Sequence, residues 1–347
     1  MQAMANAHGL RLRPHAKTHK STTIAALQIQ RGAVGICCAK LGEAEVFADA
    51  GVLDIRLPYP LHPVNADRVF ALAERVTLSF IVDDPAVAQA WSDLAVARGR
   101  RLEVLVKVDV GLHRCGIDPE SASAPGTVRA IASMEGLIFR GLLSHAGNGY
   151  EKKSEREVRD VAIREAEILR DLAAASLVRC DEISVGATPT ARFSADEDGI
   201  TELRPGNYAY YDRTQVGLGS ATWDDCALTV LARVVSRPAA DRVILDSGSK
   251  ALTNDGARGF TEMRGYGAVL RDPFVAEPDP SLVIDKLSEE HAVVKVIEGQ
   301  TRLRTGDLVR IVPNHSCVVS NLVDYVWLID ADSVLERLPV AARGRIT

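Results

Sequence analysis

Between residue 10 and about residue 206 the chain alternates short apolar runs with longer helical stretches. The apolar runs are Leu10–Arg13, Ala33–Cys37, Leu53–Leu57, Thr77–Val82, Leu102–Val108, Leu137–Ser144, Glu182–Val185 and Thr201–Arg204. Runs this short, bounded by helical pattern on either side, predict parallel strands covered on both faces. Among the intervening stretches Glu155–Ala175 is the plainest helix, dense in Ala, Glu, Leu and Arg. Eight strand–helix units in a row predict a (β/α)8 TIM-type barrel. Past about residue 225 the pattern changes. Leu228–Val235, Arg242–Asp246, His291–Val296, Leu308–Val312 and Tyr325–Ile329 are short, β-branched and turn-bounded, which predicts antiparallel strands. The expected fold class is α/β: a barrel over residues 1–225, then a mostly antiparallel β domain over residues 226–347.

Composition narrows the function classes. A chain of 347 residues is long enough for a large barrel plus an addition. Its net charge of -5 gives no reason to expect a nucleic-acid partner. No apolar run approaches the ~20 residues of a membrane span, so no membrane role is expected. The start, MQAMANAHGL, has neither the basic segment nor the apolar segment of a secretory leader. Six cysteines in so long a chain, two of them adjacent at Cys37 and Cys38, do not form a disulfide framework. A reducing cytoplasm is the expected location.

The chemistry clusters at one end of the expected barrel, where such folds place their active sites. Just past the first strand, LRLRPHAKTHK brings Lys17, Lys20 and two histidines together. A rigidly placed lysine there could form a Schiff base with a cofactor aldehyde, and Lys17 follows the strand more directly than Lys20. Four further strand ends carry glycine-rich or polar turns: residues 108–116 with Arg114, 144–150 with His145 and Tyr150, 186–190 with Thr188, and 204–208 with Arg204, Gly206 and Asn207. The last two loops are where barrels commonly hold phosphate.

Arg-Pro-His-Ala-Lys-Thr-His-Lys at 13–20 resembles the cofactor-lysine motif of the D-serine dehydratase and D-threonine aldolase family. These are alanine-racemase-like, fold-type III pyridoxal-phosphate enzymes. The Val-Asp-x-Gly-x-x-Arg-x-Gly and Arg-Pro-Gly turns resemble alanine racemase itself, and the similarity extends to Ala-Arg-Gly-Arg at 342–345. The resemblance implies pyridoxal 5'-phosphate as cofactor and Lys17 as its Schiff-base lysine. It places Arg114 near the phenolic oxygen, Arg204 against the pyridine nitrogen, and His145 and Tyr150 along the ring. Thr188 and the Gly206–Asn207 backbone would hold the phosphate. Members of the family usually open with a strand that joins the β domain; here a helical stretch leads directly into the first barrel strand. Family members pair as homodimers, and a homodimer is expected.

Pro-Asn-His-Ser-Cys at 313–317 supplies a second constellation. In an extended segment residues i and i+2 share a face, so His315 and Cys317 could chelate one ion. A thiolate with an imidazole favours Zn2+. In the family, His-x-Cys here accompanies zinc and dehydration, whereas His-x-Asp accompanies manganese-like ions and aldol cleavage. Cys317 therefore predicts a lyase that converts a small β-hydroxy D-amino acid, D-serine first among them, to a 2-oxo acid and ammonia. Mn2+ or another divalent ion is the alternative metal. Retro-aldol cleavage is the nearest rival, and racemisation is weaker because Tyr266 matches the racemase tyrosine motif poorly. A non-catalytic cofactor-binding barrel would not need the β domain. Cys37, Cys38, Cys180 and Cys226 read as core residues, His8 and His62 as surface residues; Cys115 and His291 have no assigned role.

Overall fold

A computed structural model describes residues 1–297 and 300–347. All eight expected barrel strands are present: β1 (Arg11–Leu12), β2 (Ile36–Cys37), β3 (Asp54–Pro60), β4 (Thr77–Val82), β5 (Leu102–Lys107), β6 (Leu137–Leu143), β7 (Glu182–Val185) and β8 (Glu202–Leu203). They form one parallel sheet in the order β1-β8-β7-β6-β5-β4-β3-β2. The sheet curls until β1 meets β2, where Val34 N–H donates to the Leu12 carbonyl at 2.9 Å and Cys37 N–H to the Pro14 carbonyl at 2.8 Å. Helices cover the outside. The helix Pro85–Ala97 starts at Asp84, whose carboxylate accepts from Ala86 N–H and Val87 N–H. The helix Glu155–Ser176 opens with a reciprocal cap: Ser154 accepts from Glu157 N–H, and Glu157 accepts from Lys153 N–H at 2.7 Å.

One end of the barrel interior is ionic. Arg56, fully buried, donates to Glu202 at 2.5 Å and to Glu182 at 2.6 Å. Arg13 reaches the other Glu202 oxygen at 2.9 Å and Asp54 at 2.5 Å. Burial pushes the Glu202 carboxyl up, but the two guanidiniums outweigh it and hold the group at about 2. Each charge has a partner, which is the condition for burying any of them.

The second unit is a seven-stranded antiparallel sheet. Its strands are β9 (Val230–Ala239), β10 (Arg242–Leu245), β11 (Ala268–Asp272), β12 (Val275–Pro278), β13 (Leu282–Leu287), β14 (Ala292–Val296) and β15 (Leu308–Val312). They lie in the order β12-β11-β15-β9-β10-β14-β13. Its core, centred on Val234, Val243, Leu245, Ile284, Val294 and Ile311, is distinct from the barrel core. A separate hairpin pairs β16 (Tyr325–Asp330) with β17 (Ser333–Pro339), and Trp327, Leu328, Val334 and Leu335 are exposed on it.

The Pro-Asn-His-Ser-Cys segment departs from its expected geometry. Only His315 is extended; Ser316–Ser320 is a short helix, so Cys317 sits in a helical first turn. The helix is started by a carboxylate distant in sequence: Asp212 accepts from Ser316 N–H at 3.0 Å. Nothing in the local sequence announces that cap.

Candidate active site

All ten predicted site residues, Lys17, Arg114, His145, Tyr150, Thr188, Arg204, Gly206, Asn207, His315 and Cys317, line one cavity of about 980 Å³ at the C-terminal ends of the barrel strands. Lys17 lies in a single 3-10 turn, Ala16–Thr18, started by His15, whose ring nitrogen accepts from Lys17 N–H. Burial pushes the Lys17 ammonium below the ordinary lysine value, and Arg114 and Arg204 act the same way against the opposing Cys317 and Glu43. Lys20 has a different task. Its amine is bound to Asn321 at 2.8 Å and Glu43 at 3.1 Å. Of the two lysines in the motif, Lys17 is the one that faces the cavity.

The opposite wall is made by the loops after β7 and β8. Arg204 is buried, with its Nε donating to the Ser184 hydroxyl at 2.7 Å and a terminal nitrogen to the Ser144 carbonyl. The His145 ring bonds the Gly186 carbonyl at 2.5 Å, and burial keeps the imidazole neutral. Tyr150 faces the Thr188 and Gln215 side chains, and burial raises its phenol. Among the described residues the N–H groups of Gly206 and Asn207 have no hydrogen-bond partner. A Cβ on Gly206 would lie 2.9 Å from the His15 carbonyl oxygen and 3.0 Å from the Thr18 hydroxyl, so only glycine lets these loops approach. Two free N–H groups at a close backbone approach, beside the Thr188 hydroxyl, form a cradle suited to a phosphate. The Asn207 side chain turns the other way, donating to Asp212 at 2.6 Å and lying 3.5 Å from Cys317 Sγ.

His315 and Cys317 do meet, by way of the helical turn rather than an extended segment. Burial pushes the Cys317 thiol up, but the neighbouring His315 imidazole and the Thr18 contact below outweigh it and hold the thiol under its ordinary value. Thr18 Oγ1 lies 3.2 Å from Cys317 Sγ, and the Ser320 hydroxyl donates to the Thr18 carbonyl at 2.5 Å. The β domain thus docks its thiol directly on the turn that carries Lys17. Among the described residues no third His, Cys, Asp or Glu converges with this pair on a single point. Two protein groups alone would leave positions on an ion open to water or substrate.

Lys107, Asp212, Asp255 and Arg258 are among the lining residues not singled out from the sequence. Lys107 ends β5 inside the cavity, and burial beside Arg204 lowers its amine to about 7. Asp212 ties Asn207 to Ser316. Asp255 and Arg258 come from a loop of the β domain. Only Lys107 left a trace in the sequence, as a lysine closing an apolar strand just before the Val-Asp-x-Gly turn.

Residues 1–214 match the alanine racemase N-terminal domain family, and residues 227–329 match the putative serine dehydratase domain family. The chain is 35% identical to a D-threonine aldolase of Arthrobacter sp, across 99% of this chain and 88% of the relative. It is 34% identical to a D-threo-3-hydroxyaspartate dehydratase of Delftia sp. (strain HT23), across 91% of this chain and 86% of the relative. The solved structure of that dehydratase superposes with a TM-score of 0.89 at 32% identity, covering 97% of this chain and 92% of the other. Solved variants of the same enzyme replace a histidine and, in a metal-free form, a cysteine by alanine. No helix among the described residues is long and apolar enough to cross a membrane. The chain belongs to the D-serine dehydratase and D-threonine aldolase family, alanine-racemase-like fold-type III pyridoxal-phosphate enzymes that act as lyases on D-amino acids.

Proposed function

We propose that this chain is a zinc-dependent dehydratase, an ammonia-lyase that turns a β-hydroxy D-amino acid, D-serine first among the candidates, into a 2-oxo acid and ammonia. The observation that carries the reading is the placement of Cys317 on the Lys17 turn, with His315 beside it in the same cavity. In the Delftia dehydratase, the histidine and cysteine replaced by alanine are two positions apart, the same spacing as here.

Lys17 would carry pyridoxal 5'-phosphate; Thr188 and the N–H groups of Gly206 and Asn207 would hold its phosphate, Arg204 would face its pyridine nitrogen, Arg114 its phenolic oxygen, and His145 and Tyr150 its ring. When bound, the cofactor supplies an electron sink for the carbanion at Cα, and zinc on His315 and Cys317 supplies a Lewis acid for the departing β-hydroxyl. Once the substrate amine has displaced it from the cofactor, the free Lys17 Nζ would take the α-proton. Its lowered proton affinity raises the neutral fraction available for that task. Arg204 would favour an unprotonated pyridine nitrogen, since an always-charged guanidinium gives up no proton to it. The protein works as a homodimer, and the exposed apolar side chains of the β16–β17 hairpin are surface that a second copy can cover.

Retro-aldol cleavage is the second reading, favoured by the 35% identity to the Arthrobacter aldolase. One experiment separates the two. Purified, cofactor-loaded protein is given D-serine and D-threonine, and 2-oxo acid and aldehyde are assayed separately. Aldehyde with glycine in place of 2-oxo acid with ammonia overturns the dehydratase reading.

A further inference from the structure

We propose that Asp255 is a positioning residue for the metal site: its carboxylate takes the Nδ1 side of the His315 imidazole and leaves Nε2 to face the ion beside Cys317. The inference rests on the metal reading above.

Asp255 Oδ2 lies 3.6 Å from His315 Nδ1. That oxygen is itself buried and has no hydrogen-bond partner among the described residues. Both side chains are otherwise half-exposed, so the pair adds little to stability, and its placement needs another reason. Asp255 does not join His315 and Cys317 as a third ligand, because no three such groups converge on one point among the described residues. A carboxylate behind a ligating histidine fixes the tautomer and ring orientation and raises the basicity of the other nitrogen.

The backbone of Asp255 is held for this purpose. Asp255 N–H donates to Thr253 Oγ1 at 3.2 Å, and its carbonyl accepts from Asn314 Nδ2 at 2.9 Å. Asn314 is the residue before His315, so the same side chain sets the spacing of carboxylate and imidazole. Thr253 has a φ of +65°, a conformation that a β-branched residue adopts only when its surroundings impose it. Loop and metal segment are thus registered through main-chain contacts that survive substitution of the Asp255 side chain.

The test uses cofactor-loaded protein and Zn2+ titrated in competition with a chromophoric chelator. Asp255→Ala should weaken zinc binding by about 10–100-fold. Asp255→Asn should lose less, because its carboxamide oxygen keeps an acceptor on the Nδ1 side of the imidazole. The cofactor absorption band and the melting temperature should match the wild type in both. Wild-type zinc affinity in Asp255→Ala, while His315→Ala loses zinc, overturns the inference and leaves the metal reading intact. Undiminished affinity in His315→Ala overturns the metal reading itself. Weaker zinc binding together with a lower melting temperature assigns Asp255 a structural role and also overturns the inference. Should Asp255→Ala fail to fold, Asp255→Asn decides: a several-fold loss with an unchanged melt supports the inference, and wild-type affinity overturns it.

Discussion

Thr18 and Cys317, 299 positions apart in sequence, touch at 3.2 Å between hydroxyl and thiol. The contact joins the lysine turn of the barrel to the thiol of the β domain. Thr18→Val keeps the shape and removes the hydroxyl. A net hydrogen bond contributes about 1 kcal/mol, so zinc affinity should fall by about fivefold with the cofactor band unchanged. Chelator competition on the variant measures this, and an unchanged affinity would show that the hydroxyl does not steady the thiol.

Borohydride reduction of the cofactor-loaded protein should leave the pyridoxyl label on Lys17. Lys20 should carry none, because Asn321 and Glu43 hold its amine away from the cavity. Peptide mapping reads the outcome, and a label on Lys20 would reverse the assignment.

Removal of zinc by a chelator should abolish elimination without releasing the cofactor, because Lys17 lies in the barrel and the metal pair in the other unit. Cys317→Ala should behave like the chelated protein. Cys317→Asp offers a hard oxygen ligand and should shift preference from Zn2+ toward Mn2+. Aldehyde and 2-oxo acid assays on each metal form check this; full elimination by metal-free Cys317→Ala would refute the role of the ion.

Glu202 sets an acid limit on the fold. Its carboxyl is held at about 2 when folded, below the ordinary 4.5. A depressed folded value gives stability that is complete above the unfolded value and is lost as pH falls from about 4.5 toward 2. Glu202→Gln leaves Arg56 and Arg13 without their shared counter-charge and should cost about 3–5 kcal/mol. Its denaturant midpoint should also depend less on pH across that window. Equal midpoints for variant and wild type at pH 7 would contradict the account.

The barrel was legible because β1–β8 are covered on both faces and stand out as apolar runs against helical pattern. Four strands past the barrel, β11, β12, β13 and β17, were not singled out; β12 and β17 alternate or expose their side chains, so their signal is weak. The cofactor wall was readable because each of its loops follows a strand whose position is itself readable. Asp212 and Asp255 were not: Asp212 acts where the two units meet, and Asp255 faces His315 from 60 positions earlier in the chain. The helix at Ser316 was misread as extended for the same reason: its cap comes from Asp212, 104 positions earlier.

The two separate hydrophobic cores carry a consequence for how activity is acquired. Barrel and β sheet can each form from its own contacts, but the thiol reaches the lysine turn only when one is seated on the other. Catalytic competence is therefore a late event in folding. On dilution from denaturant, backbone signals and the Lys17-bound chromophore should recover first, and turnover should lag behind them.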